Sequence, residues 1–278
     1  MRPPRYGGGV TTTEARTIAA EAARAYREAF GDRLIGAYLL GSLSYGGYSP
    51  AVSDIDLAIV LTDVRDGDPS LVSATTEALQ GQSPLHRKLS VFWASLPALR
   101  EGRDDGRFPA QDRLQLADHG RVLLGADVTR EVARPPAADL LRESAKFAIA
   151  VLATDEVTAE FRTPRRLLAD KVWFTKAVFF PVRFRYSATT ESGRAATNDE
   201  SLEWYLAQPE APSKSLVRLG ARVREGHPLD AAEVEPELAA GLVPLYRHYI
   251  EAELRRLREA GEPEDLVDAF EDWLKRLG

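Results

Sequence analysis

Two short apolar runs, "RLIGAYLL" (33–40) and "DIDLAIVL" (54–61), flank a glycine-rich stretch and constrain the fold more than any other part of the chain. Each is short enough to be a buried strand. The first leads directly into Gly41-Ser42, and the second opens with Asp54 and Asp56, one residue apart. Side chains two apart on a strand share a face, so Asp54, Asp56, Ala58 and Val60 line one side and Ile55, Leu57 and Ile59 the other. Two carboxylates held together repel, and partial burial raises the cost of ionising both unless a cation compensates. A hard divalent ion that accepts oxygen ligands is the simplest counter-charge. Gly41-Ser42 supplies the other half: glycine at a strand end lets backbone approach a ligand closely, exposed N–H groups at a helix start favour phosphate, and the serine hydroxyl adds a hydrogen bond. Strand, Gly-Ser, a spacer of eleven residues (43–53) and Asp-x-Asp on a strand describe a cradle for a metal-bound nucleotide.

The flanking sequence builds an α/β unit around this cradle. A capping-box pattern, Thr11 with Glu14, opens a run in which Ile18, Ala22, Tyr26 and Phe30 recur at helical spacing up to Gly31. "SYGGYSPAVS" reads as a turn or short helix, "PSLVSATTEALQG" as a helix ending at Gly81, and "RKLSVFWASL" as a third strand. The order helix, strand, turn, strand, helix, strand implies a small mixed sheet. Pro135-Pro136 marks a boundary, and everything beyond it reads as helical. Trp173, Ala177, Phe180 and Phe184 follow a four-three-four spacing, with Pro181 expected to kink that helix. Further amphipathic helices are expected near 199–208, 213–225, 233–260 and 263–277. The fold class is α+β, with one domain over 1–134 and an all-helical one over 135–278.

Composition narrows the function. The 278 residues suffice for two domains, and 44% hydrophobic with 28% charged residues is a globular balance. The absence of cysteine excludes a disulfide framework, a thiolate metal site and a cysteine nucleophile, which fits a cytoplasmic protein. A net charge of -6 argues against a phosphate-tracking surface for duplex nucleic acid. "MRPPRYGGGV" has no apolar core of a signal peptide, and "VWFTKAVFFPV" is short and interrupted by Lys176, so neither export nor membrane insertion is expected. His86, His119, His227 and His248 show no metal-ligand spacing.

"LLGSLSYGGYSPAVSDIDLAIVL" resembles the signature of the polymerase-β-like nucleotidyltransferase superfamily, and is similar in particular to the aminoglycoside adenylyltransferases that modify streptomycin and spectinomycin. "FPAQDRLQL" (108–116) resembles that group's segment after the third strand, and "RYSATTESGRAATNDESLEWYL" (185–206) its C-terminal helix-turn-helix. The resemblance implies magnesium-dependent transfer of a nucleoside monophosphate, AMP from ATP, to a hydroxyl of a small molecule such as an aminoglycoside, and with it antibiotic resistance. It assigns Gly41 and Ser42, with Ser53 beside them, to the nucleotide and Asp54 and Asp56 to magnesium and catalysis. Arg183 falls where relatives place an arginine near the nucleotide. Lys176 lies two helical turns earlier, either a second phosphate contact or a snorkelling lysine.

The chain departs from the pattern in one respect that bears on chemistry. The family places a third carboxylate on the strand that reads "HRKLSVFWASL" here, where Lys88 or Ser90 stands instead. A lysine is no anionic ligand, and when protonated it accepts no proton. Three alternatives follow: a base from Asp104, Asp105, Asp112 or Asp118; proton transfer through substrate or water; or a domain that binds nucleotide without transferring it. A protein-modifying enzyme of antitoxin type is a further alternative. Asn198 stands where the family tends to have a lysine. Trp93, Trp173, Glu191 and Trp204 could meet a polycationic acceptor, although each tryptophan also fits a core. Arg222 and His227 match a short Arg-four residues-His pattern similar to that of HEPN-type ribonuclease toxins, in a Gly-Pro loop.

Overall fold

The structure is a computed structural model that describes residues 9–189 and 194–278. The chain divides into two compact units, Met1–Pro136 and Ala137–Gly278.

The first unit begins with α1 (Gly9–Phe30), which starts two residues ahead of Thr11, so Thr11 lies inside the first turn rather than capping it. Nothing in Gly9-Val10 blocks a helical backbone, and the helix winds on through them. Ala15, Ala19, Ala22 and Ala23 are buried along one face with Ile18, Tyr26 and Phe30, and the small alanines let the axis approach the sheet. Burial of each larger side chain contributes about 1.5–3 kcal/mol.

After one 3-10 turn, β1 (Leu34–Leu39) leads into α2 (Gly41–Tyr45), followed by β2 (Ile55–Leu61), α3 (Asp68–Gln80) and β3 (Leu89–Ser95). Then come α4 (Leu96–Arg100), α5 (Ala110–His119) and β4 (Arg121–Gly125). The sheet order is β3-β2-β1-β4. β1 is antiparallel to β2 and to β4, while β2 and β3 are parallel and joined through α3. The edge strand β4 extends the expected three strands to four; its five residues are half-exposed to exposed, so "RVLLG" shows neither an apolar run nor a clean alternation.

The sheet separates two cores. Ile55, Leu57, Ile59 and Leu61 join the α1 side with Leu89, Val91 and Trp93. Ala58 and Val60 join the opposite side with Tyr38, Phe92, Ala94 and Phe108. This is the alternation expected of the strand. Arg33 fastens the start of β1 to the start of α3, donating to both carboxylate oxygens of Asp68 at 3.0 and 2.5 Å and to Asp63 at 3.0 Å. The Arg33 hydrogen bonds hold the Asp68 carboxyl below its ordinary value, against its burial.

The second unit is helical: α6 (Ala137–Leu152), α7 (Asp155–Arg162), α8 (Lys171–Thr189), α9 (Asn198–Ala207), α10 (Lys214–Arg224), α11 (Ala231–Ala260) and α12 (Glu264–Arg276). Its core gathers Phe174, Leu216, Leu242, Tyr246, Tyr249, Phe270 and Trp273. α8 continues through Pro181. Proline removes the N–H that would bond the carbonyl four residues back, that of Ala177. The buried Tyr246 hydroxyl donates to that carbonyl at 2.8 Å and replaces the missing bond. α9 opens on a capping box, Thr197 with Glu200. Among the described residues no helix is long and apolar enough to cross a membrane.

Candidate active site

The end of β1 meets the start of β2 through the Leu40 N–H, which donates to the Asp56 carbonyl at 2.9 Å. Gly41 follows at φ +58, and a Cβ there would fall 2.1 Å from Asp56 Oδ2. Position 41 therefore disfavours a side chain for two independent reasons: the left-handed backbone and the carboxylate packed against the Cα, which would have to move. α2 starts on this glycine, and Leu40 before it offers no side-chain cap. The first-turn N–H groups of a helix have no partner within the helix, and α2 begins beside the Asp56 carboxylate. Ser42 is buried in that turn. Ser44 anchors α2 by donating to the His119 carbonyl at the end of α5.

From Gly46 the chain turns through a loop closed on itself. The Ser49 N–H donates to Ser53 Oγ at 3.0 Å, and the Ser53 N–H donates back to the Ser49 carbonyl at 2.8 Å. The Ser53 hydroxyl thus accepts a bond that fixes the approach to Asp54. Lys88, in a 3-10 turn just before β3, donates to the Pro50 carbonyl at 2.5 Å and clamps the same loop from outside. Asp54 is the residue immediately before β2 and Asp56 its second residue, and both are half-buried.

Ser90 is the register partner of Asp56 on the parallel neighbour β3. Register partners in a parallel pair point to the same face, so Ser90 occupies the place beside Asp56 where a third acid would stand. Among the described residues no cluster of three or more His, Asp or Glu could hold a metal; the carboxylates form a pair. Of the other acids considered as a base, Asp105 accepts from the Ser95 N–H and hydroxyl at 2.9 and 2.5 Å and steadies the start of α4. Asp104 accepts from the Gly106 and Phe108 N–H groups at 2.9 and 2.8 Å, and Asp118 pairs with Arg134 at 2.7 Å. Asp112 lies in the first turn of α5.

Sequence reasoning passed over Tyr48. It is buried, and its hydroxyl finds no hydrogen-bond partner among the described residues. Burial first, and then the charges of Asp54 and Asp56, push the phenol up to about 12. The only trace in the sequence is a tyrosine inside a loop otherwise rich in glycine and serine.

The remaining candidates are placed elsewhere. Lys176 and Arg183 are half-buried on α8 of the second unit, seven residues apart and so two turns along one face. Trp93 is buried in the core of the sheet. Trp173 donates to Glu160 at 2.6 Å, and Trp204 packs against Tyr186. Glu191 lies outside the described residues. Arg222 pairs with Glu233 while His227 is exposed, which leaves the ribonuclease-like pattern an ordinary surface.

Two half-buried carboxylates, a glycine whose missing Cβ admits one of them, and a neighbouring helix start form a donor set of oxygens and N–H groups suited to a hard cation and a phosphate chain. No family model matches the sequence, and no curated protein matches it. The fold is similar to that of a solved spectinomycin adenyltransferase from Enterococcus faecialis, crystallised with ATP and spectinomycin, at 13% identity and a TM-score of 0.54. That match covers 84% of this chain and 99% of the other, so the α+β architecture of the two proteins is shared across both units.

Proposed function

We propose that this protein is a nucleotidyltransferase that moves AMP from ATP to a hydroxyl of a small molecule, with an aminoglycoside of the streptomycin and spectinomycin type as the acceptor class. The observation that carries it is the contact at position 41, where the Gly41 backbone replaces a side chain and lies against the Asp56 carboxylate at the start of α2. The shared fold with an adenyltransferase crystallised with both ligands supports the choice of nucleotide and acceptor.

Asp54 and Asp56 would hold magnesium, which when bound would neutralise the triphosphate and polarise its α-phosphorus. Gly41 and Ser42 offer backbone N–H groups and a hydroxyl to phosphate oxygens. The acceptor oxygen attacks the α-phosphorus, the bond from that phosphorus to the bridging oxygen breaks, and pyrophosphate leaves. Lys176 and Arg183 are proposed to add positive charge toward the phosphates. With Ser90 beside Asp56, the proton of the acceptor hydroxyl leaves through solvent or through another group of the acceptor. The same serine favours a second reading, a protein that binds nucleotide without transferring it.

Incubation with magnesium, each labelled nucleoside triphosphate and a panel of aminoglycosides tests the proposal. Pyrophosphate appearing only with ATP and a drug is the expected result. Label on the protein would point to protein modification, and nucleotide binding without turnover to the second reading.

A further inference from the structure

A carboxylate pair can take one divalent ion or share two, and the anionic oxygens around it decide which. Around Asp54 and Asp56 the neighbours are set by strand register. The parallel strands β2 and β3 pair Ile55 with Leu89 and Asp56 with Ser90. Ile55 and Leu89 are buried in the core beneath α1, so the half-buried Asp56 and Ser90 stand side by side on the opposite face. One residue before this pairing come Asp54 on one chain segment and Lys88, at the end of its 3-10 turn, on the other. The Lys88 ammonium donates to the Pro50 carbonyl at 2.5 Å, in the loop four residues ahead of Asp54. A hydroxyl is a neutral ligand and an ammonium has no lone pair to give, so β3 brings no anionic oxygen to this end of the sheet. Asp104, Asp105 and Asp118 are bonded to Phe108, Ser95 and Arg134, and among the described residues no third His, Asp or Glu completes a cluster. Asp56 is also turned. Its Oδ2 lies 2.1 Å from where a Cβ on Gly41 would stand, while Oδ1 is not among the three atoms nearest that point. A carboxylate that bridges two ions presents one oxygen to each, whereas Asp56 keeps Oδ2 against the Gly41 backbone.

We propose that Asp54 and Asp56 bind a single divalent cation, the one that arrives with the triphosphate, and that Ser90 sets this number by standing where a second ion would need a carboxylate. Two carboxylates completed by phosphate oxygens are an ordinary shell for one magnesium ion. This inference rests on the nucleotidyltransferase reading and deepens it: no second ion is held to activate the acceptor hydroxyl.

The test counts manganese on the full-length parent and on Ser90→Asp by electron paramagnetic resonance, at equimolar protein and non-hydrolysable ATP analogue, with thermal unfolding as the check on the fold. The parent is expected to hold one ion per complex and to show the spectrum of an isolated manganese. Ser90→Asp is expected to hold two, and two ions within about 4 Å of each other couple their spins and change the spectrum. Ser90→Glu, whose longer arm relaxes the crowding, is read the same way if Ser90→Asp does not fold. Two ions on the parent overturn the proposal, and one ion on a folded variant overturns the role of Ser90. If the parent binds no analogue with manganese, the nucleotidyltransferase reading fails and this inference with it; a parent that binds the analogue with two ions keeps that reading and loses only this inference.

Discussion

Gly41 carries two constraints at once, a backbone at φ +58 and the Asp56 carboxylate in the space a Cβ would take. Gly41→Ala therefore costs about 1–2 kcal/mol for the backbone alone, and more as Asp56 is displaced. A lower unfolding temperature together with loss of calorimetric ATP binding is expected; a variant that keeps both would show that the contact is not required. Ser90 offers the opposite experiment, because it stands beside Asp56 on β3. Ser90→Asp places a third carboxylate there, and without metal the added repulsion should lower the unfolding temperature, with magnesium restoring it. A base so placed should raise the transfer rate by about 10²-fold if proton removal limits the reaction. Both residues were visible in the sequence, Gly41 through the Gly-Ser turn and Ser90 through the acid that is missing. Tyr48 was not, because an orphaned hydroxyl is a property of its surroundings and leaves no mark on the residues next to it.

Elements report on how local chemistry is completed from far away in sequence. Pro181 strips the Ala177 carbonyl of its helical partner, and Tyr246 on α11 replaces it. Tyr246→Phe should destabilise the second unit by about 1–3 kcal/mol, the cost of a buried unsatisfied carbonyl. In a Pro181→Ala background, where the helix supplies its own N–H, the same change should cost markedly less, which a double-mutant cycle in urea would measure. In the first unit, Arg33 holds the Asp68 carboxyl below its ordinary value of 3.8, so the folded-state value lies under the unfolded one. Stability from this pair is fully present above the unfolded value and is lost as pH falls through the folded one. Asp68→Asn should lower the unfolding temperature at pH 6 and flatten its decline between pH 5 and pH 3 relative to the parent. The sequence made α1, the first three strands and the long C-terminal helices legible, because each repeats its apolar residues at a clear period. It missed β4, whose half-exposed edge residues follow no period, and it expected a kink at Pro181 without seeing that a tyrosine 65 positions later would complete the helix.

At the scale of the whole molecule, the sheet unit carries the carboxylate pair and the Gly41-Ser42 turn beside it, and the helical unit carries Lys176 and Arg183. The shared fold with an adenyltransferase extends over both. The central claim is that Asp54 and Asp56 make this scaffold a magnesium-dependent adenylyltransferase, and acceptor-dependent pyrophosphate release measures it most directly. With ATP and magnesium the parent should release pyrophosphate only when an aminoglycoside is present, at a rate that falls by at least about 10²-fold in Asp54→Asn, Asp56→Asn while the unfolding temperature holds. Release that persists in the double variant, or that does not depend on magnesium, would contradict the account.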